Sequence, residues 1–182
     1  LGAGGWSDGK LTYHTSIGGQ LSKYCGEEKA MELMDQVIDN FKRFHPKPEE
    51  VQCSNPIAEP DFIKPYFGLR LFPVWHVGTD YLHEIGKNWY DFLVDGGVEF
   101  IWNAKVSSIN FDINMAYYTQ FDINGIANRD PGYLPYDKLI FGVGKSGIDF
   151  GKQLAEQYDL PTEPKPVQIG VRFEAPQKHF QK

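Results

Sequence analysis

The residues with the greatest capacity for chemistry stand in the opening run, Leu1-Gly2-Ala3-Gly4-Gly5-Trp6-Ser7-Asp8-Gly9-Lys10-Leu11. Four glycines, a hydroxyl, a carboxylate and an ammonium within ten residues describe backbone able to lie close to a polar ligand. Glycine admits positive φ and removes the side chain that would hold a ligand away, while Ser7 and Lys10 can donate to phosphate or carbonyl oxygens. The competing reading is a flexible terminus in which Asp8 and Lys10 form a surface turn pair. The spacing is not that of a dinucleotide fingerprint, because Ser7 stands where the third glycine belongs and no first strand precedes the run. A second glycine-rich segment, Gly142-Val143-Gly144-Lys145-Ser146-Gly147, follows the apolar Leu139-Ile140-Phe141 and precedes a helical pattern, which is the setting of a phosphate loop. With Gly144-Lys145-Ser146 as the end of that motif its first glycine would fall on Leu139, so the nest of backbone N–H groups is incomplete.

Other reactive side chains are sparse. His76 precedes Gly78-Thr79-Asp80 at an expected helix start and His14 follows the opening run, so either can face a substrate, or serve as an ordinary hydrogen-bonded histidine. His76 and His83 are seven residues apart and would share a helix face only if the helix began earlier than its expected cap, which argues against a metal pair. Arg172 can hold a carboxylate or a structural salt bridge. Cys25 and Cys53 are far apart and outside any CxxC pattern, so neither a disulfide framework nor a zinc site is indicated.

These groups need a scaffold, and the composition supplies one. The 182 residues are 41% hydrophobic and 15% aromatic, enough for one domain or pieces of two. A net charge of -6 leaves no excess of Lys and Arg for nucleic acid or an anionic membrane. No apolar run approaches the roughly 20 residues that span a bilayer, and the start lacks the regions of a signal peptide. The expectation is a soluble, cytoplasmic protein. From Glu27 to His45, Ala30, Met31, Met34, Val37, Ile38, Phe41 and Phe44 recur at three and four, predicting a helix with acids at its start, Lys42 and Arg43 at its end, and Pro46 and Pro48 beyond. A second helix is predicted from Thr79 or Asp80, as cap, to Val94, with Leu82, Ile85, Trp89, Phe92 and Leu93 inward and Gly96-Gly97 as its stop. The proline-rich 46–78 reads as an irregular excursion with a short helix near 62–69.

After Gly97 the pattern becomes extended. Strands are predicted at 98–102, 105–111, 116–123 and 136–141, forming a small antiparallel meander, then a helix opening at Ser146 or Gly147 with Phe150, Leu154, Ala155 and Tyr158 inward, and a last strand at 167–173. The fold class is α/β in the mixed α+β sense, with ligands expected where strands end in glycine-rich turns.

Five segments carry a family resemblance: Gly4 to Leu11; His76-Val77-Gly78-Thr79-Asp80; Gly97-Val98-Glu99 with Lys105-Val106; Lys138 to Gly147; and Ile169-Gly170-Val171-Arg172-Phe173-Glu174. In that order they resemble the interior of uncharacterised bacterial FAD-dependent dehydrogenases of the two-dinucleotide-binding flavoprotein class. The resemblance implies an incomplete FAD-binding Rossmann-like domain with an antiparallel meander and an inserted helical segment. Residues 1–20 and 79–160 would be parts of the FAD-binding domain, 21–78 the insertion, and 161–182 the start of a substrate domain. It further implies an internal fragment lacking the N-terminal strand and fingerprint that hold the FAD pyrophosphate, and therefore a piece that is inactive and binds FAD weakly by itself.

The implied activity of the parent is two-electron flavin chemistry on an unknown small molecule. By the same resemblance Gly4, Gly5, Ser7, Asp8, Gly9 and Lys10 lie along the flavin and pyrophosphate, and the backbone at Lys105 and Val106 recognises adenine. Gly142, Gly144, Ser146 and Gly147 form the strand-end turn that closes over FAD. Gly142-Val143 departs from the alanine and threonine usual there, which weakens the atomic assignment. The alternative is a nucleotide-phosphate binding protein using the Gly142–Ser146 loop.

Overall fold

The computed structural model describes residues 7–56, 58, 61, 64–66, 68, 71–128, 130–164, 169–171, 174 and 176. The chain divides into two compact units, Leu1–Phe100 and Ile101–Lys182. Both mix helices with a three-stranded antiparallel sheet, so the α/β character stands. Every strand pair among the described residues is antiparallel, and the parallel sheet of a Rossmann-like domain is not among them.

In the first unit, β1 (Lys10–Thr12) and β2 (Gln52–Ser54) flank β3 (Val74–His76). Leu11, Trp75 and Cys53 stand directly opposite one another across the three strands, as do Lys10, His76 and Gln52. Because side chains alternate along a strand, these two sets occupy opposite faces of the sheet. Leu11 and Trp75 pack on a core of Phe44, Val51, Val77, Leu82 and Ile85, which fixes the inner face.

The helices behind that face are α1 (Leu21–Cys25), α2 (Glu27–Phe44) and α3 (Leu82–Asp95). The predicted 27–45 helix is α2. Glu27 and Glu28 lie in its first turn and Lys42 and Arg43 in its last, each at the favourable end of the dipole. Chain reversal begins at His45, whose extended φ of -75° and ψ of 134° suit a residue before proline. Helix α3 stops as its sequence predicts, since the N–H groups of Gly97 and Val98 bond the carbonyls of Val94 and Leu93 and Gly97 takes a φ of +88°. Of its expected inward face Leu82 and Ile85 are buried, whereas Phe92 stays 45% exposed and lies under Arg43.

Several expectations are corrected in this unit. Neither Thr79 nor Asp80 caps α3 through its side chain, because a 3₁₀ turn at Thr79–Tyr81 leads into the helix. Helix α1 and strands β1, β2 and β3 arise where the sequence pattern predicts no regular element. Residues 98–102 form no strand, because the Val98 N–H is already used in ending α3. Of the short helix expected near 62–69, residues 62, 63, 67 and 69 lie outside the described residues, and the described 64–66 and 68 are not helical.

The second unit contains the predicted meander: β4 (Ala104–Asn110), β5 (Met115–Gln120) and β6 (Gly132–Pro135), in that order. Asn110 Oδ1 accepts the N–H groups of Asp112 and Ile113, and Asn114 adopts a φ of +51°, so asparagine makes the β4–β5 turn. The third strand is Gly132–Pro135 rather than 136–141; Tyr136 to Phe141 are irregular. Helix α4 (Ile148–Gln157) follows as predicted, burying Leu154, and the Tyr158 hydroxyl donates to the Ile109 carbonyl at 2.8 Å. The strand expected at 167–173 lies largely outside the described residues.

Gly132 sits opposite Tyr118 on β5, and a Cβ there would overlap the tyrosine ring. Gly132→Ala must push the ring aside at a cost of about 1–2 kcal/mol. In a double-mutant cycle that cost is expected to fall sharply in a Tyr118→Ala background, because the two changes share one contact. An unchanged cost would refute the contact.

Candidate functional site

The opening run and the His76–Asp80 segment, far apart in sequence, lie against one another. Strand pairing of Lys10 with His76 begins the contact, and the Val77 N–H continues it by donating to the Gly9 carbonyl at 2.8 Å. The Thr79 hydroxyl then donates to the Asp8 carbonyl at 3.0 Å. Gly9 is buried, with a φ of +68°; a Cβ on it would lie 2.9 Å from the Gly78 carbonyl carbon and 3.1 Å from the Thr79 nitrogen. Two backbones approach here as closely as only glycine permits.

The other side of this segment is held by His45. It is 5% exposed and edges the Tyr81 ring. Its Nδ1 accepts the Lys47 N–H at 2.9 Å, so the proton of the neutral ring sits on Nε2, which donates to the Val77 carbonyl at 2.9 Å. Val77 is thus fixed through both of its peptide groups, by Gly9 and by His45. Sequence reasoning places His45 only at the end of a helix. The signal in the sequence is a histidine forced out of helical geometry by Pro46.

Around this seam the charged groups are exposed. Asp8 bonds the Lys10 N–H through Oδ1 and the Lys10 ammonium through Oδ2 at 3.0 Å. Hydrogen bonding to Lys10 holds its carboxyl below the usual aspartate value. Ser7 is exposed beside it. His76 lies on the outer sheet face, where its Nε2 is 2.9 Å from Ser54 Oγ. His14 is exposed and bonds Ser16 within its own turn. Gly4, Gly5 and Arg172 fall outside the described residues. Among the described residues no three His, Cys, Asp or Glu gather as a metal site, and no helix is long and apolar enough to cross a membrane.

Tyr13, just beyond β1, donates to Asp35 on α2. That bond to a carboxylate favours the neutral phenol and pushes its pKa up to about 12. Since the folded value lies above the unfolded value of 10.0, the stabilisation is fully present below pH 10 and lost as the pH rises towards 12. Asp35→Asn is expected to return one phenolate transition to near 10 in an ultraviolet titration, with Tyr13→Phe identifying it among the ten tyrosines. A late transition that survives Asp35→Asn refutes the pair.

In the second unit, Lys105 and Val106 lie on β4 beside an open depression of about 620 Å³. Lys105 lines it together with Ile101, Trp102, Asn103, Phe121 and Ile123. Asp122 also borders it, but its carboxylate accepts the N–H groups of Asn124 at 2.9 Å and Ile126 at 2.8 Å. Those backbone bonds, chiefly that of Ile126, lower its pKa and commit it to its own turn. Lys105 is the remaining charged residue of the lining.

The glycines of the 142–147 segment differ in what the fold demands of them. Gly147 is required by packing, because a Cβ would overlap the Val143 side chain, and Gly144 by its φ of +61°. A side chain at Gly142 would meet nothing within 4 Å and its backbone does not need glycine, which leaves room for a ligand to approach. Ser146 lies in a 3₁₀ turn that opens α4. The strand on which the phosphate-loop alternative depends is absent, since Leu139 to Phe141 are irregular.

Comparison with protein-family models, curated proteins and solved structures finds no match.

Proposed function

We propose that this chain is part of an FAD-dependent oxidoreductase acting on a small molecule. The observation that carries the reading is the seam of Gly9 against Gly78. Two of the five segments on which the family resemblance rests are joined there by the Val77–Gly9 hydrogen bond and by a backbone approach that glycine alone allows. In this reading Ser7, Asp8, Gly9 and Lys10 border the flavin and its pyrophosphate, with Gly4 and Gly5 beside them in sequence. The second unit supports it separately: the aromatic-lined depression beside Lys105 and Val106 suits a planar base, and open space at Gly142 suits close ligand approach near Gly144, Ser146 and Gly147. The flavin would supply the two-electron chemistry; these residues would bind and orient it.

The natural protein that carries this chain is expected to purify yellow and to release FAD on denaturation. A colourless protein that takes up no FAD on refolding overturns the proposal. The phosphate-loop alternative has the weaker support, with its first glycine and its preceding strand both missing.

A further inference from the structure

Two serine–histidine contacts in the first unit differ in what the ring nitrogen is free to do. At His14, Nδ1 faces Ser16 Oγ at 2.9 Å but also accepts the Ser16 N–H at 3.1 Å, so its lone pair is committed to a local turn. At His76, Nε2 lies 2.9 Å from the hydroxyl of Ser54, 22 positions away on the neighbouring strand. Gln52 pairs with His76 and Ser54 with Val74, which sets Ser54 and His76 diagonally across β2 and β3 on the outer face of the sheet. Ser54 is exposed and His76 half-buried. The hydroxyl has a second acceptor in the Val74 carbonyl at 3.3 Å. With the ring proton on Nδ1, Ser54 donates to Nε2, which is the arrangement of a nucleophile and its general base.

The same face carries groups that suit an acyl substrate. Val74 stands directly opposite Ser54 and is half-buried, an apolar seat for a short acyl chain. Gln52 precedes Ser54 by two residues on that face, about 7 Å along the strand, and its amide can donate to a carbonyl oxygen on which charge develops. Because Ser54 is exposed, a small ester reaches the hydroxyl without any opening of the fold. Lys10 stands in the row of His76 and Gln52, on the far side of the histidine from Gln52, with its ammonium on Asp8 at 3.0 Å. It is the neighbouring amine against which reaction at Ser54 has to be distinguished.

We propose that Ser54 and His76 cleave small carboxylic esters through an acyl-serine intermediate. Ser54 Oγ adds to the ester carbonyl carbon while its proton passes to His76 Nε2. The bond from that carbon to the alcohol oxygen then breaks, and Nε2 returns the proton to the departing alkoxide. Water, losing a proton to the same nitrogen, attacks acyl-Ser54, releases the carboxylic acid and restores the serine. The sum is ester plus water to acid plus alcohol, so no further reactant is needed. This activity goes beyond the flavin chemistry proposed above and does not depend on it.

p-Nitrophenyl acetate tests this on the 182-residue chain without flavin. Release of p-nitrophenol above the buffer rate is expected, and peptide mapping of acid-quenched protein should place an acetyl group on Ser54. Ser54→Ala and His76→Gln should each lower the protein-dependent rate about 100-fold, the order of a general-base contribution. Ser54 is exposed, so its hydroxyl can be removed with the fold intact, and an unchanged urea midpoint checks this. Ser16→Ala, at the contact whose ring nitrogen is already committed, should keep the full rate. A protein-dependent rate that survives Ser54→Ala overturns the proposal, as does acetyl found on Lys10 or other amines and not on Ser54. No hydrolysis above buffer overturns it equally. Since the assay contains no flavin, a colourless parent protein removes the oxidoreductase reading and leaves this result standing.

Discussion

Gly9→Ala is expected to destabilise the first unit by about 2–5 kcal/mol. Two independent penalties meet at this residue. Its φ of +68° lies in the left-handed region, where a Cβ costs roughly 1–2 kcal/mol. The new methyl must also fit 2.9 Å from the Gly78 carbonyl carbon and 3.0 Å from its oxygen, and these are backbone atoms that no rotamer change can move. Overpacking of that kind costs a further ~1–3 kcal/mol. With a urea m-value of about 1–3 kcal/mol/M, the midpoint should drop by on the order of 1 M or more. Gly19→Ala is the matched control, since Gly19 has no positive φ and a Cβ on it would meet no atom within 4 Å; it should change stability by less than ~0.5 kcal/mol. Equal effects of the two substitutions would remove the close approach of Gly9 to Gly78, and with it the observation on which the oxidoreductase proposal rests.

The elements visible in the sequence are those long enough for their period to be read. Helix α2 shows four turns of apolar residues at three and four, with dipole-matched charges and prolines after it, so local and tertiary preferences agree. The stop of α3 is equally legible, because Gly96-Gly97 matches a hydrogen-bonding pattern that needs positive φ at one position. Strands β1, β2 and β3 are three residues each, too short for an alternation of two to be seen, and two of them border a proline-rich stretch that reads as loop. The reverse error occurs at 98–102 and 136–141. Both are apolar runs of strand-like composition, yet one begins by closing α3 and the other follows β6 as irregular chain.

The site is legible as residue types and not as an arrangement. Nothing in the order of residues tells that Gly9 is spent on packing against Gly78, whereas Gly142 is spent on neither packing nor backbone geometry. That distinction needs neighbours. His45 shows the same limit from the other side: its sequence position marks a helix end, and only the fold shows that its ring carries the Val77 carbonyl. The open part of the α2 stripe is hidden for a further reason. Met34 and Val37 belong to the same apolar stripe as Ile38 and Phe44, and the sequence pattern assigns the whole stripe to the core, while the three-dimensional packing buries Ile38 and Phe44 and leaves Val37 half open.

Phe44→Ala is expected to have the other large effect, about 3–5 kcal/mol. The ring is 7% exposed and belongs to the core with Val51, Val77, Leu82 and Ile85. It stacks on Trp89 with centroids 5.2 Å apart and an interplanar angle of 19°, and it meets Phe92 at 5.3 Å. Truncation therefore removes burial and two aromatic contacts together, and leaves a cavity bounded by the large ring of Trp89, which cannot collapse into it without leaving Phe41. Phe44 also fixes the last turn of α2, where its carbonyl accepts the Asn88 amide at 2.9 Å and His45 follows. The loss should consequently reach the seam: hydrogen exchange at the Val77 amide, which is bonded to Gly9, should accelerate together with amides of α3. Phe44→Leu keeps most of the volume and should recover more than half of the stability. If Phe44→Ala costs under ~1 kcal/mol, or if Val77 exchange is unchanged while α3 loosens, the packing that joins α2 to the His76–Asp80 segment is not what holds that segment in place.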